Sequence, residues 1–333
     1  PARSDVDSNV SIWYPLEEEA NREGASPSPI EWEVIKMVWL EKEGERLIQM
    51  PEEWGGIVPS EVFLQEAQDI VKKGEELNLT LRIMGGVGIR LHTMEYEDVA
   101  RRLGRLGEEK QEFTDLDFMS YKKQRKRMND LFVDTLGYGW RRPTLSTAAS
   151  ERRIYFHPKG WFFVDVFFDE LRVANHPLDF RDRLELDSPT LTATDFLLEK
   201  LQIVNFADKD LKDTIILLLA HDVGERDAPE TINGRYIAGL LANDWGFWYT
   251  LTTNLGGIKQ VVPGMSQLSG DEKSKILARL EHLMDLIEQQ PKSTKWKLRS
   301  RIGTKKRWYE PVETMDTTGG FGIWRLRDEY QKK

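Results

Sequence analysis

The sequence predicts an α+β protein, with a mixed β-sheet core flanked by helices and a helical C-terminal domain. Segments with the alternation of β-strands concentrate in the first two thirds of the chain, whereas helical periodicity dominates the last third. The composition, 40% hydrophobic and 31% charged over 333 residues, is typical of a globular protein. We therefore divide the chain into an acidic N-terminal arm with a β-hairpin (1–58), a mixed-sheet core (59–188) and a helical domain (189–333).

The acidic arm holds most of the negative charge of the chain. Residues 1–60 contain 13 acidic and five basic residues, whereas the whole chain has a net charge of −9. Strand-like segments over 34–40 and 46–50, joined around Gly44, predict a β-hairpin. Since the remaining residues are nearly neutral, the acidic total does not exclude a nucleic-acid partner.

Strand and helix patterns alternate through the core. Pro59 and Ser60 begin a predicted helix that ends near Gly74 or Asn78, and a short strand over 79–84 follows it. Further strands are predicted over 114–119, 153–156 and 161–168, and helices over 126–136, around 197–204, and over 211–220 and 272–290. Everything beyond 220 is expected to be mostly helical.

Composition also excludes several kinds of site. The chain has no cysteine, so disulfides, thiolate metal sites and cysteine nucleophiles are excluded. The five histidines are scattered without metal-ligand spacing, so no zinc site is expected and any metal should be held by oxygen; they are His92, His157, His176, His221 and His282. Because no apolar run could span a bilayer and no secretory signal begins the sequence, we expect a cytoplasmic protein without membrane association.

Three aspartates in predicted strands are the candidate catalytic and metal-binding residues. Asp115 and Asp117 are two positions apart in one strand, so their side chains share a face of the sheet. Asp165 lies inside an apolar strand, where a carboxylate is costly unless something pairs with it. Converging carboxylates favour Mg²⁺ or Mn²⁺.

Gly85 and Gly86 follow a predicted strand, where a bare backbone would let a phosphate approach the amide groups. Each feature has an ordinary structural alternative. Asp-x-Asp is common at exposed strand edges, and Gly-Gly is often a simple turn. The combination of Gly-Gly, Asp-x-Asp and a third aspartate in a later apolar strand is what indicates a functional site.

This combination resembles the nucleotidyltransferase superfamily of the DNA-polymerase-β type. Within it, the chain is most similar to the AbiEii-type branch, which includes toxins of bacterial toxin–antitoxin and phage-defence systems. Two later segments carry that likeness: Thr194-Asp195-Phe196-Leu197-Leu198-Glu199-Lys200-Leu201 and Lys209-Asp210-Leu211-Lys212-Asp213. The chain departs from the family's pattern in two ways that affect the expected shape of the nucleotide pocket. It has an insertion from about Thr93 to Gly107, and it has Gly86 where the family often has serine.

The resemblance implies a role for each candidate residue. Asp115 and Asp117 would bind the metal ions that neutralise a nucleoside triphosphate. Asp165 would complete the second metal site or accept the proton of the attacking hydroxyl. Lys200 would bind phosphate. The resemblance also places Asp210 and Asp213 among the nucleotide-binding residues, together with Gly85, Gly86 and Lys200. Asp210 and Asp213 would pair with Lys200 or an arginine, or cap the following helix.

The acceptor is indicated by a basic run over 292–307, which contains Trp296 and is followed directly by Trp308. Basic residues attract backbone phosphates and aromatic rings stack on bases, so this run predicts an RNA-binding surface; a solvated charged face is the alternative. The candidate RNA contacts are Lys295, Arg299, Lys305, Lys306 and Arg307.

Three functions follow from these features. The first is a nucleotidyltransferase that modifies RNA, tRNA in particular, or a protein, in the setting of a toxin with a cognate antitoxin. The second is a transferase acting on a small molecule such as an antibiotic or a sugar phosphate. The third is a non-catalytic relative that serves as a binding module, which the three intact aspartates speak against.

Overall fold

The structure is a computed structural model that describes residues 51–54, 57–105, 112–141, 152–172, 174–228 and 230–311. The predicted hairpin over 34–50 lies outside the described residues, as do residues 106–111. Within the described part, a mixed sheet is flanked by helices and followed by a mainly helical C-terminal half. The predicted α+β class is therefore confirmed.

The first long helix, α1 (Ser60–Glu76), begins and ends where the sequence predicts. Its buried residues recur at helical spacing and form one apolar stripe against the sheet; they are Phe63, Ala67, Ile70, Val71 and Gly74. Asn78, with a φ of 54°, adopts the left-handed conformation that turns the chain toward the first strand.

The described residues form a central sheet of five strands in the order β1-β2-β5-β4-β3. These strands are β1 (Leu81–Met84), β2 (Asp115–Ser120), β3 (Gly139–Arg141), β4 (Arg152–Phe156) and β5 (Phe163–Phe168). β2 and β5 are parallel, whereas the other neighbouring pairs are antiparallel. The short strands β6 (Glu170–Leu171) and β7 (Leu178–Asp179) extend the sheet beyond β5. The four predicted core strands are confirmed to within two residues at each end.

The two faces of the sheet pack against different parts of the chain. Along β2, Leu116 and Phe118 are buried in one core with α1. Asp115, Asp117 and Met119 point to the opposite face, because successive side chains alternate along a strand. The core on that second face joins Met119 to residues of the C-terminal helices. The aspartates of β2 therefore share a face with the helical half of the molecule.

Eight α-helices follow or flank this sheet in the described residues after α1. Their bounds are α2 (Gly85–His92), α3 (Glu97–Arg102), α4 (Ala193–Leu201), α5 (Asp208–Ala220), α6 (Gly234–Leu241), α7 (Trp245–Val261), α8 (Gly270–Gln289) and α9 (Thr294–Ser300). A capping box of Ser269 and Glu272 starts α8, close to its predicted position. None of the described helices is long and apolar enough to cross a bilayer.

Two predicted segments differ from the structure. The predicted helix over 126–136 is a 3₁₀-helix (Lys122–Arg127) followed by a π-helix (Asp130–Thr135). Its charged first half has no apolar stripe to bury, and the wider π-turn buries Leu131 and Phe132 together. The region beyond 220, expected to be mostly helical, also contains two short parallel strands, β8 (Asp222–Gly224) and β9 (Thr231–Asn233).

Candidate functional site

The three predicted aspartates lie on one face of the sheet. Asp117 is directly opposite Asp165 in the parallel pair of β2 and β5, and Asp115 lies two positions earlier on the same face as Asp117. Met84, the last residue of β1, is opposite Asp117 on the other side. Because neighbouring strands are only about 4.8 Å apart, the carboxylates project from adjacent backbone positions.

Asp117 is at the centre of this cluster. Burial raises the pKa of Asp117 well above its usual value, and the charges of Asp115 and Asp165 raise it further, whereas Arg152 lowers it. Neighbouring carboxylates repel each other when no cation lies among them. A hard divalent cation would relieve this repulsion, and carboxylate oxygens are the ligands that Mg²⁺ and Mn²⁺ prefer.

The two other aspartates have different surroundings. Asp115 is exposed, and its Oδ1 accepts a hydrogen bond of 3.0 Å from the hydroxyl of Thr114. Asp165 is partly buried, and its Oδ2 forms a 2.6 Å ion pair with Arg152, the first residue of β4. Sequence analysis did not identify Arg152, because no motif marks it. The arginine adds a positive charge at the edge of the acidic cluster.

Gly85 places the start of α2 against Asp117. Its φ is +64°, in the left-handed region, and a Cβ at this position would lie 2.7 Å from Oδ2 of Asp117. Both facts require glycine. Gly85 and Gly86 form the first turn of α2, where backbone N–H groups have no acceptor within the helix. The site thus joins carboxylates to a helix N-terminus.

Glu199 is a fourth acidic residue of the site, which sequence analysis did not select. It is only 6% exposed, and its Oε2 accepts a hydrogen bond of 3.2 Å from the N–H of Gly85. Its other oxygen, Oε1, is buried without a hydrogen-bond partner among the described residues. Burial raises the pKa of Glu199 to about 8. The side chain is therefore mostly protonated near neutral pH.

Arg105 covers the first turn of α2 from the predicted insertion. A Cβ on Gly86 would lie 3.2 Å from Nη2 of Arg105, so the guanidinium is close to the backbone there. Nε of Arg105 donates a hydrogen bond of 2.5 Å to Oδ1 of Asp213. The insertion that sequence analysis treated as a departure therefore contributes a cation to the site.

Lys200 is buried on α4, and its ammonium group contacts both candidate aspartates of α5. Nζ lies 3.3 Å from Oδ1 of Asp210 and 2.8 Å from Oδ2 of Asp213. Burial lowers the pKa of Lys200, but the charges of Asp213 and Asp210 outweigh it and raise the pKa above its usual value. Of the alternatives that the sequence left open, pairing with Lys200 and pairing with an arginine both occur. Asp210 also caps α5 by accepting from the N–H of Ala207 at 3.4 Å.

A further cation lies near these aspartates. Lys209 is a third cation here, and burial together with the charges of Lys200 and Arg105 lowers the pKa of Lys209 to about 8. Arg105, Lys200 and Lys209 thus contribute three positive charges beside Asp210 and Asp213, and the charge of Glu112 also acts on Arg105. Arg105 lies close to the first turn of α2, where its guanidinium would favour an anion.

The predicted RNA contacts divide into two groups. Lys295, Lys305, Lys306 and Arg307 are exposed. Arg299 instead donates hydrogen bonds to backbone carbonyl oxygens, at 2.7 Å for Gly303 and 2.8 Å for Lys306. Its guanidinium therefore holds the turn after α9, so its contacts are structural.

The two tryptophans beside the basic residues pack against α7. Nε1 of Trp308 donates a hydrogen bond of 3.0 Å to the hydroxyl of Thr250. The ring of Trp296 meets Trp248 edge to face, with 5.1 Å between the ring centroids. The sequence does not place the aromatic residues of α7 beside this run, and stacking of the two tryptophans on bases stays a prediction.

The histidines also differ from expectation, since the fold brings two of them together. The rings of His92 and His221 have centroids 5.4 Å apart, and Glu230 contacts both rings. Sequence spacing could not show this proximity, because the three residues come from separate elements. The scattered sequence spacing, from which no zinc site was expected, therefore does not describe how these histidines lie in the fold.

No protein-family model matches the chain, and no curated protein matches it significantly. A solved structure of an antigenic nucleotidyltransferase-like protein from Paracoccidioides brasiliensis is similar to the chain, with 13% sequence identity and a TM-score of 0.36. The similarity covers 71% of this chain and 97% of that protein. At this level the comparison establishes no family for the chain.

Proposed function

We propose that this protein is a metal-dependent nucleotidyltransferase, which moves a nucleoside monophosphate from a nucleoside triphosphate to an acceptor hydroxyl. The observation that carries the proposal is the strand register that sets Asp117 beside Asp165, with Gly85 packed directly against Asp117. Metal-binding groups and the N-terminus of a helix thus share one site. That combination suits a triphosphate, whose charge needs both kinds of partner.

Asp115, Asp117 and Asp165 would hold Mg²⁺ or Mn²⁺. The fit is supported by the raised pKa of Asp117, which reflects burial and the repulsion that a cation would relieve. When bound, the metal would neutralise the negative charge of the triphosphate and of the attacking and leaving oxygens at the α-phosphorus.

Other residues of the chain would position the substrates. Arg105 lies at the first turn of α2 and would attract the triphosphate tail. Glu199, mostly protonated near neutral pH, would add little negative charge and could donate its O–H to a phosphate oxygen. Lys200 would act mainly by holding Asp210 and Asp213, since its ammonium group already contacts both.

Asp165 would accept the proton of the acceptor hydroxyl, with Arg152 fixing the orientation of its carboxylate. The acceptor oxygen would form a bond to the α-phosphorus as the bond from that phosphorus to the bridging oxygen breaks. Pyrophosphate would leave. The roles come from the family resemblance, and the positions of the side chains on one face of the sheet support them.

For the acceptor we favour RNA, with tRNA as the first candidate, because four of the predicted contact residues are exposed cations near the C-terminal end of the described chain. Protein and small-molecule acceptors are the competing choices. The toxin role and the cognate antitoxin remain predictions from the resemblance to the AbiEii-type branch.

The test is transfer of label from each α-³²P nucleoside triphosphate, with Mg²⁺ or Mn²⁺, to total RNA, to protein and to small-molecule acceptors in parallel. We expect metal-dependent labelling of RNA. Asp117→Asn should abolish it, whereas Asp134→Asn, which removes an exposed carboxylate from the π-helix, should leave it unchanged. Absence of transfer to every acceptor, or equal transfer by the Asp117→Asn variant, would contradict the proposal.

A further inference from the structure

We infer that His92, His221 and Glu230 form a zinc-binding site, separate from the carboxylate site proposed above. His92 is the last residue of α2, His221 directly follows α5, and Glu230 directly precedes β9. One ligand atom from each residue lies within 4.8 Å of the others. The inference is independent of the proposed catalytic activity.

The distance between His92 and Glu230 suits coordination of one ion. Nδ1 of His92 lies 3.3 Å from Oε1 of Glu230, and Nδ1 of His221 lies 3.1 Å from Oε2. In a tetrahedral site with bonds of about 2.0–2.1 Å, neighbouring ligand atoms are roughly 3.3 Å apart. The pair of His92 and Glu230 is therefore already at the spacing that a zinc ion imposes, whereas Nδ1 of His221 faces oxygen atoms of Glu230 and carries the ring proton.

His92 has the outer partners that metal-binding histidines need. Its Nε2 lies 2.6 Å from the hydroxyl of Thr190 and 3.4 Å from Oδ2 of Asp187. With the proton on Nε2 and directed to these oxygens, Nδ1 presents its lone pair toward Glu230. A carboxylate or hydroxyl behind the imidazole is the usual arrangement that fixes the ring and raises its basicity.

His221 supplies a second nitrogen in a dry environment. The residue is 1% exposed, and its Nε2 is buried with no hydrogen-bond partner in the described part of the chain. Its Nδ1 lies 3.2 Å from the carbonyl oxygen of Glu230. With the proton on Nδ1 and directed to this carbonyl oxygen, Nε2 has the free lone pair and is the candidate ligand atom. A buried ring nitrogen without a partner is costly unless an additional ligand, such as a metal ion, occupies the site.

Glu230 closes the site from the solvent side. Its side chain is 64% exposed, yet its backbone has a φ of 59°, a left-handed conformation that glutamate rarely adopts. This conformation is costly for an ordinary surface residue, and here it accompanies contacts from both carboxylate oxygens to the histidines. The exposed side gives an ion access and leaves room for a water ligand.

Two imidazoles and one carboxylate favour Zn²⁺ over Mg²⁺. The ion would join the C-terminal end of α2 to α5 and β9. Because α2 begins at Gly85 and is about 12 Å long at 1.5 Å per residue, the zinc site and the carboxylate site lie at opposite ends of one helix. Zinc would therefore stabilise the helix that carries the start of the candidate active site.

The test uses the full-length protein, first stripped with a chelator and then titrated with Zn²⁺ and, separately, with Co²⁺. We expect one tightly bound Zn²⁺ per chain by elemental analysis, a rise in Tm of roughly 5 °C at saturating metal, and the visible absorption of tetrahedral Co²⁺. Glu230→Gln and His92→Ala should each lose the bound zinc, the Tm shift and the cobalt spectrum.

Two control variants separate this site from others. His282→Ala removes an exposed histidine of α8, and Asp117→Asn alters the carboxylate site; both should retain one zinc and the cobalt spectrum. Glu230→Gln changes an exposed side chain, so its folding can be verified directly by circular dichroism. The inference is overturned if the wild-type protein binds no stoichiometric zinc, or if Glu230→Gln binds zinc as tightly as wild type.

Discussion

Ionisation of the buried acids governs the chemistry of the site at the scale of single residues. Asp117 and Glu199 both have raised pKa values, chiefly because each carboxylate is buried, and Asp117 also faces the charges of its neighbours. The two groups differ in surroundings. Asp117 lies among aspartates that could share a cation, whereas Glu199 contacts the backbone of Gly85. We therefore expect metal to ionise Asp117 and leave Glu199 as the more readily protonated group.

Glu199 should make the stability of the folded protein depend on pH. Its pKa is about 8 in the folded protein and near the ordinary value of 4.5 in the unfolded chain. Between these values the folded state binds more protons, so the free energy of unfolding should fall as the pH rises from about 5 to about 8.5. Glu199→Gln keeps an oxygen that can accept the hydrogen bond from the N–H of Gly85 but cannot ionise. The variant should therefore lack this fall in the free energy of unfolding, which we expect to be on the order of 1–3 kcal/mol in the wild-type protein.

The measurement is urea unfolding of the wild-type protein and of Glu199→Gln at about pH 5 and about pH 8.5, with a chelator present to remove metal ions. Glu288→Gln, which changes an exposed glutamate of α8, should follow the wild-type pH dependence. If the difference in unfolding free energy between wild type and Glu199→Gln is the same at both pH values, the raised pKa is wrong.

At the scale of elements, the start of α2 and the contact of α4 with α5 determine the site. Strand alternation allowed the sequence to predict that Asp115 and Asp117 share a face, and the apolar surroundings of Asp165 marked it as unusual. The contact of Glu199 with Gly85 could not be predicted in this way, because it joins residues 114 positions apart through the packing of α4. The contact of the Lys200 ammonium group with both Asp210 and Asp213 likewise depends on how α4 and α5 pack.

Gly85→Ala tests the close approach of α2 to Asp117. The added Cβ would meet Oδ2 of Asp117 at 2.7 Å, and the φ of +64° would be strained for alanine. We expect transfer activity to fall by at least about 100-fold, corresponding to displacement of one carboxylate by roughly 1 Å. The unfolding free energy should fall by about 1–2 kcal/mol.

Gly137→Ala is the matched control, since Gly137 has a φ of +71° and a Cβ there would meet no atom within 4 Å. It should show a similar or smaller loss of stability but nearly full transfer activity. Equal activity losses in the two alanine variants would mean that backbone strain alone, and not contact with Asp117, explains the effect.

Lys200→Met tests the buried ion-pair network. Removing the ammonium group leaves Asp210 without its ion-pair partner and Asp213 with Arg105 alone, so we expect the unfolding free energy to fall by about 3 kcal/mol. Asp210→Asn added to Lys200→Met should restore part of this loss, because it removes the unpaired charge. Denaturant unfolding at pH 7 measures both effects.

The comparison variant Lys212→Met breaks an ion pair with Asp208, whose side chain is 74% exposed. Its cost should stay below about 1 kcal/mol. If Lys200→Met costs no more than Lys212→Met, the network does not stabilise the fold, and a direct phosphate-binding role for Lys200 becomes the better account.

At the scale of the whole molecule, the fold class followed from the distribution of strand and helix patterns along the chain. The arrangement of charged residues in three dimensions could not be predicted from those patterns. The basic run looks continuous in sequence, yet Arg299, Trp296 and Trp308 are engaged within the structure, while four of the five predicted contact residues remain exposed. The clustering of His92 with His221 also depends on the packing of distant elements.

The exposed part of the basic run gives a prediction for RNA binding. Substituting Lys305, Lys306 and Arg307 with Ser should weaken RNA binding and lower the slope of log K against log salt by about 0.7 for each lost phosphate contact. Triphosphate affinity should not change, because the carboxylate site lies elsewhere. Filter binding over a range of salt concentrations measures the slope.

A control with the same change in net charge replaces three exposed lysines on other surfaces with Ser: Lys72, Lys259 and Lys275. The control should keep the wild-type slope. An equal reduction in both triple variants would show that net charge, and not a defined surface, governs binding to RNA.

The central claim is that the aspartates of β2 and β5 bind the metal ions of a nucleoside triphosphate beside the start of α2. The most direct measurement is a crystal structure of the protein with Mn²⁺ and a triphosphate that cannot be cleaved between its α- and β-phosphates. We predict anomalous manganese density among the carboxylates of Asp115, Asp117 and Asp165, with the phosphates at the first turn of α2. Manganese and nucleotide bound away from these aspartates, or no binding at saturating concentrations of both, would contradict the claim.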